Sequence, residues 1–404
     1  MNKIKGLERG MGVGGWLTNY KRFNVLPPER RLEITIGDME HFESYITEAD
    51  VAYIASLGMD HIRLGFDQIV LEERPFVYRE RILALLGAFV DWCDKYGLRP
   101  ILNMHKAIGN YCDILEEKGL MQTPALQERF IALWLRLEDA FADRPHVIFE
   151  LLNEVVNATA DEWNDLAART IAAIRQKNAD RLIVVGGVEW NNPPGLDQLR
   201  VYDDANVIYT FHCYAPHEFT HQQGVLQSGP LYYNRKMPWP CDDIDRYSDY
   251  FRLRGRPDPY SGRTRMDIDF LRDYLAPVGR FLKTHPDKVL WCGEFGTIRH
   301  CPIAWRENWM RDMIKILKEY DEKIESFKIL AGYCDGEVLD ANGVKELADI
   351  PSKEVLIAKF LGSIQSPVYK FAYAVKAVAE KLEEGAPAEA ATETEAVAEA
   401  PAEA

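Results

Sequence analysis

Short apolar runs alternate with segments of helical period along most of this chain, and that alternation limits its folding more than any other feature. The runs are Met11–Leu17, Met59–Phe66, Leu98–Met104, Val147–Val156, Arg181–Val185, Asn206–Phe211 and Val289–Gly296. Helical spacing falls over Thr47–Leu57 (closed by Gly58), Arg79–Tyr96 (closed by Gly97), Pro124–Ala142, Ala160–Asn178, Asp267–Thr284 and Trp305–Tyr320. Runs this apolar read as strands buried on both faces. Strands joined through helices imply a parallel sheet with right-handed crossovers. The expected fold is therefore α/β, a (β/α)8 TIM barrel. Seven runs are one short of closure, so the eighth strand is atypical or missing. At 404 residues the chain also exceeds a single barrel of ~250 residues, leaving room for a second unit.

In such barrels the chemistry sits where the strands end, because the loops there form the open face. The run VIFELLNEVV ends on Asn153 and Glu154, and VLWCGEFG ends on Glu294. A lone strand-end glutamate is an ordinary loop residue, but two on separate strands can face each other across one mouth. Hydrolysis of a glycosidic bond needs such a pair. Glu154, in a largely apolar setting, suits a general acid and base, and Glu294 an ionised nucleophile. Arg63, His105, His212 and Tyr214 also fall at strand ends. Each alone reads as structural; together they match the barrel rule. Arg63 would keep Glu294 charged. Asn153 would bond a sugar 2-hydroxyl, and His212 and Tyr214 would position the acids or the substrate. No HExxH or P-loop occurs, so no metal or cofactor is expected.

An insertion over Tyr214–Tyr260 is rich in aromatics, as expected either of a loop that stacks on sugar rings or of one that packs on itself. Trp16 divides the same way, between sugar platform and core. A net charge of −15 argues against nucleic acid or an anionic membrane surface as partner. Seven cysteines without paired spacing fit a reducing compartment. The N-terminus MNKIKGLERGMGVGG lacks the apolar core of a secretory signal, so the cytoplasm is the expected location.

The strand-end motifs together carry a resemblance. GGW, HIRLGFD with Arg63, ILNMHKAIG with His105, FELLNEV with Glu154, TFHCYAPHEFTHQ with His212 and Tyr214, and CGEFG with Glu294 resemble glycoside hydrolase family 5, the cellulases, over residues 1–321. The loops are most similar to those of endoglucanase C-type enzymes acting on β-1,4 and mixed-linkage β-1,3-1,4 glucans. The resemblance implies a retaining endo-β-glucanase with Glu154 as acid/base and Glu294 as nucleophile, and a β-glucan or cello-oligosaccharide as substrate. Two departures stand out. Lys106 replaces the second histidine of the family's Asp-x-His-His. No tryptophan follows Trp309, where the family's eighth strand supplies the floor of the −1 subsite. Phe327–Tyr333 (FKILAGY) has the length and apolarity to fill the eighth position without that ring.

Residues 322–384 resemble instead the C-terminal part of the bacterial ribosomal protein at the base of the large-subunit stalk. Val368, Phe371, Val375, Val378 and Leu382 give helix 368–382 an apolar face, suited to a protein partner or to its own barrel. Residues 385–404 are almost wholly Ala, Glu, Thr and Pro and are expected to be disordered. Three alternatives therefore stand: an active glucanase, a hybrid chain with an inactive barrel and a helical binding module, and a carbohydrate-binding relic.

Overall fold

The computed structural model describes residues 7, 9–18, 34–111, 119–224, 235–253, 255–323, 331–334 and 337–340. The chain divides into two compact units, residues 1–349 and 350–404, and every described residue lies in the first. Its main sheet contains β1 (Gly10–Leu17), β2 (His61–Asp67), β3 (Arg99–Lys106), β4 (Ile148–Glu150), β5 (Ile183–Gly186), β6 (Val207–Cys213) and β7 (Val289–Phe295). All pairings are parallel and follow chain order.

The crossovers carry α1 (Ile36–Ser44), α2 (Glu48–Ser56), α3 (Glu80–Lys95), α4 (Pro124–Ala140) and α5 (Ala160–Lys177). The insertion between β6 and β7 adds α6 (Asp245–Leu253), α7 (Ile268–Tyr274) and α8 (Ala276–Thr284), and α9 (Ile303–Lys323) follows β7. Local chemistry sets these boundaries. At the start of α5 the Thr159 hydroxyl accepts from the Glu162 N–H, while the Glu162 carboxylate accepts from the Thr159 N–H. Behind α3 the chain turns at Gly97, whose φ of +71° favours glycine. One apolar stripe of α3, including Ile82, Leu86, Phe89 and Cys93, packs onto the sheet.

Strand alternation sends one set of side chains toward the helices and the other into the lumen. Trp16, Phe66, Trp134 and Phe149 belong to the outer core, and the indole of Trp16 donates to the Phe42 carbonyl at 2.5 Å. Trp16 is thus a core residue. Ile101, Ile148, Val184 and Ile208, all fully buried, form an inner layer against Val289 and Trp291. The sheet curls far enough for β2 to meet β7 across this lumen: His61 packs edge-on to Trp291 with ring centroids 5.8 Å apart. Gly10 makes room for that histidine, since a Cβ there would fall 1.8 Å from its Nε2. Among the described residues, however, no ladder joins β7 to β1. The architecture is a parallel barrel left open at one seam.

Three expectations need correction. The run Val147–Val156 is regular strand only over Ile148–Glu150, although the Leu151 and Asn153 N–H groups still donate to the Val184 and Met104 carbonyls at 3.1 and 2.9 Å. The helix expected over Asp267–Thr284 is two helices broken at Leu275, since Pro277 has no N–H to donate and its ring would crowd the preceding turn. The eighth position is not filled by Tyr333 and its neighbours. Ala331–Cys334 pairs antiparallel with Glu337–Asp340 and with neither β1 nor β7. Asp-Gly between those two segments is a strong hairpin signal. Phe327–Leu330, helix 368–382 and the 385–404 tail lie outside the described residues, as do residues 225–234 of the insertion.

Candidate active site

Arg63 lies at the centre of the mouth. It projects inward from β2, is 6% exposed, and uses its whole guanidinium. Nε and Nη2 donate to the two oxygens of Glu150 at 2.6 and 2.8 Å, and Nη1 donates to Glu294 Oε1 at 2.6 Å. Nη2 also donates to Asn153 Oδ1 at 2.5 Å, so a sugar contact by Asn153 falls to its amide nitrogen. Burial opposes the charge on Arg63, but Glu150 and Glu294 outweigh it and hold the group cationic.

Glu294 reaches this cluster through a bulge. The β6–β7 register shifts between Phe211 and His212, which pair with Cys292 and Glu294 and leave Gly293 extra. A Cβ at Gly293 would lie 2.7 Å from Thr210 Oγ1 and 3.0 Å from His212 Nε2, so only glycine lets β7 pass this close. The Tyr214 hydroxyl donates to Glu294 Oε2 at 2.9 Å. His212 Nδ1 lies 3.1 Å from Glu154 Oε1 and 3.8 Å from Glu294 Oε2, between the two acids. One oxygen of each acid and a ring nitrogen of His212 all fall within 4.8 Å of one another.

The environments push the two carboxyls apart. Burial raises Glu154, with His212 pulling the other way. Burial would raise Glu294 as well, but the charges of His212 and Arg63 hold it well below the usual carboxylate range. The result is a proton-holding carboxyl facing an ionised one. The trio is also the one cluster of potential metal ligands among the described residues. A divalent cation there would sit against the fixed charge of Arg63, and both oxygens of Glu294 already accept hydrogen bonds.

Two further groups hold Glu154. The amide of Asn110, 1% exposed, brackets its peptide: Nδ2 donates to the Glu154 carbonyl at 2.8 Å, and Oδ1 accepts from the Val156 N–H at 3.1 Å. From the other side, the Trp190 N–H donates to the Val155 carbonyl at 3.2 Å. Sequence reasoning missed both Asn110 and the role of Glu150. The usable signal was an acid inside an apolar run, which needs a buried cation somewhere.

Arg63, Asn153, Glu154, His212, Tyr214 and Glu294 thus form one hydrogen-bonded cluster. His105 stands beside it at the end of β3, where burial lowers it to about 4, and its Nδ1 lies 3.3 Å from Asn103 Oδ1. The described aromatics of the insertion follow the self-packed alternative. Phe219, Trp239 and Tyr247 are fully buried, and Tyr260 is 5% exposed with its hydroxyl on Glu218.

Residues 28–321 match the model of the cellulase family, glycosyl hydrolase family 5. The chain belongs to glycosyl hydrolase family 5. As a member it is a cellulase-type glycoside hydrolase. It is 33% identical over 324 residues to endoglucanase C of Acetivibrio thermocellus, covering 78% of this chain and 88% of that protein. Its fold is similar to that of Thermotoga maritima Cel5A in complex with cellobiose, with a TM-score of 0.59, 23% identity, and coverage of 78% and 87% of the two chains. Outside the family 5 region, residues 350–385 match the C-terminal region of ribosomal protein uL10. The uL10 of Clostridium acetobutylicum is 46% identical over 69 residues, covering 17% of this chain and 41% of that protein.

Proposed function

We propose that this family 5 enzyme is a retaining endo-β-glucanase acting on β-1,4 or mixed-linkage β-1,3-1,4 glucans, with Glu154 as acid/base and Glu294 as nucleophile. The observation that carries the reading is that one carboxylate oxygen of Glu154 lies within 4.8 Å of one of Glu294. Inverting enzymes keep their carboxyls ~6.5–9.5 Å apart to admit a water, whereas retaining ones hold them at ~5–5.5 Å. The glucan assignment is supported by the likeness to endoglucanase C.

In the first step Glu294 attacks the anomeric carbon while Glu154 gives its proton to the departing glycosidic oxygen. The C–O bond breaks, and the sugar is left as an ester of Glu294. Arg63 donates to Oε1 of that carboxylate and Tyr214 to Oε2, so both groups orient it toward the anomeric carbon. In the second step Glu154, now ionised, takes a proton from water as the water oxygen displaces Glu294 from the same carbon. Two inversions give net retention.

Purified full-length protein assayed for reducing ends on barley glucan, with proton NMR of the first-formed anomer, tests this. The β-anomer should appear first, and Glu154→Gln and Glu294→Ala should each abolish turnover. An α-anomer, or equal blank rates for all three proteins, overturns the assignment.

A further inference from the structure

The inner face of β6 changes character along the strand. Alternation puts Ile208, Thr210 and His212 on one face, and all three are fully buried. Ile208 belongs to the apolar inner layer, and His212 meets the two acids. Thr210 stands between them. A valine there would have the same shape and no polar atom to bury. Instead the chain buries a hydroxyl, and Thr210 Oγ1 has no hydrogen-bond partner among the described residues. Neither has His212 Nε2, the ring nitrogen other than the one beside the acids. Buried polar atoms left unpaired are costly, so two on one strand face call for a reason.

Gly293 brings the two atoms to one gap. The position its missing Cβ would take lies 2.7 Å from Thr210 Oγ1 and 3.0 Å from His212 Nε2. That gap opens at the bulge that delivers Glu294. A small turn about the threonine χ1, or a single water between them, joins hydroxyl to ring. The chemistry suits His212. Its Nδ1 lies 3.1 Å from Glu154 and 3.8 Å from Glu294, and both acids change state during the reaction. Which ring nitrogen carries a proton is set by what the other one bonds. A hydroxyl accepts from an Nε2–H and donates to a bare Nε2, so it serves either state without moving its oxygen.

We propose that Thr210 is a positioning residue for the hydrolysis: its hydroxyl is the hydrogen-bond partner of His212 Nε2 and holds that ring between Glu154 and Glu294. The inference rests on the two glutamates acting as assigned above. Thr210 touches neither acid in this role. It acts through His212, by keeping the imidazole plane fixed while protons and charge pass around it.

The test uses the full-length protein with Thr210→Val, which keeps the shape and removes the hydroxyl, and Thr210→Ser, which keeps the hydroxyl. On cellotetraose kcat should fall about tenfold in Thr210→Val, the rate equivalent of one hydrogen bond, with KM little changed. Thr210→Ser should stay within about twofold of the parent. Nitrogen-15 NMR of the substrate-free protein reads the link itself. The His212 Nε2 signal, assigned by its loss in His212→Gln, should shift in Thr210→Val and return in Thr210→Ser. Should Thr210→Val not fold, Thr210→Ala set against Thr210→Ser makes the same comparison. Equal losses of kcat in the Val and Ser forms, or an Nε2 signal indifferent to loss of the hydroxyl, overturn the proposal. The NMR arm needs no turnover, so a parent that hydrolyses nothing defeats the hydrolase reading, while an unmoved Nε2 signal defeats the role of Thr210.

Discussion

Replacing Glu150 by Gln removes a charge that lies beneath the reacting groups, yet it should cost more than most changes at the rim. Glu150 is fully buried and accepts two guanidinium N–H bonds at 2.6 and 2.8 Å. The new amide keeps one acceptor but turns its NH2 toward a guanidinium N–H. Hydrogen bonds to charged groups contribute about 1.5–3 kcal/mol each, so losing one and weakening the other costs about 2–4 kcal/mol. That is less than the ~3–5 kcal/mol of a fully stranded buried ion, because Glu294 still balances Arg63. Urea unfolding of the full-length chain, followed by tryptophan fluorescence, reads the loss. A second protein, Arg63→Met with Glu150→Leu, strands no charge at that pair. It should recover only part of the lost stability, and its glucanase activity should fall, since Glu294, 19% exposed, then lacks its cation. A double variant less stable than Glu150→Gln alone would refute the argument that the pair is kept for chemistry rather than stability.

Other expectations follow from the same geometry. Asn110→Ala leaves the Glu154 carbonyl and the Val156 N–H without their partner. It should lower hydrolysis of aryl cellobiosides with poor leaving groups at least tenfold more than that of dinitrophenyl cellobioside, which needs little acid help; equal losses would show mere loosening. Because burial raises Glu154 and the acid must carry its proton, kcat/KM should fall as pH rises through a value above the ordinary glutamate range. Glu154→Gln assayed on dinitrophenyl cellobioside should lose that alkaline limb. Gly293→Ala drives a methyl against Thr210 and His212, and should cost about 1–3 kcal/mol by overpacking, measured by thermal unfolding, together with much of the activity. With no tryptophan after Trp309 to floor the −1 subsite, turnover of barley glucan should be about ten- to hundredfold below that of the Acetivibrio endoglucanase C assayed beside it.

Much of this site was legible because barrels place polar residues at the ends of apolar strands, as Glu154, His212 and Glu294 are placed, whereas Arg63 is the third of the seven residues of β2 and reaches the site by the length of its side chain. The sheet order was legible for a related reason: each strand–helix alternation has one right-handed solution. What local pattern could not supply was pairing at a distance. The role of Glu150 had no local signal because its partner is 87 positions earlier. Asn110 sat in a loop with no period, and its importance appears only where its amide meets a peptide 44 positions on. The break before Pro277 and the hairpin around Asp-Gly were written in the sequence, and overall apolarity outvoted them.

The open seam has a consequence for anyone dissecting this enzyme. With no ladder between β7 and β1 among the described residues, the contact from Arg63 to Glu294 ties the second strand to the last. The reacting carboxylate is therefore also a rivet of the shell around it. Removing it silences the reaction and unfastens the wall in one stroke, so a dead variant at this position reports on scaffold and mechanism together. Selection for turnover would, by the same bond, be selection for holding β2 to β7.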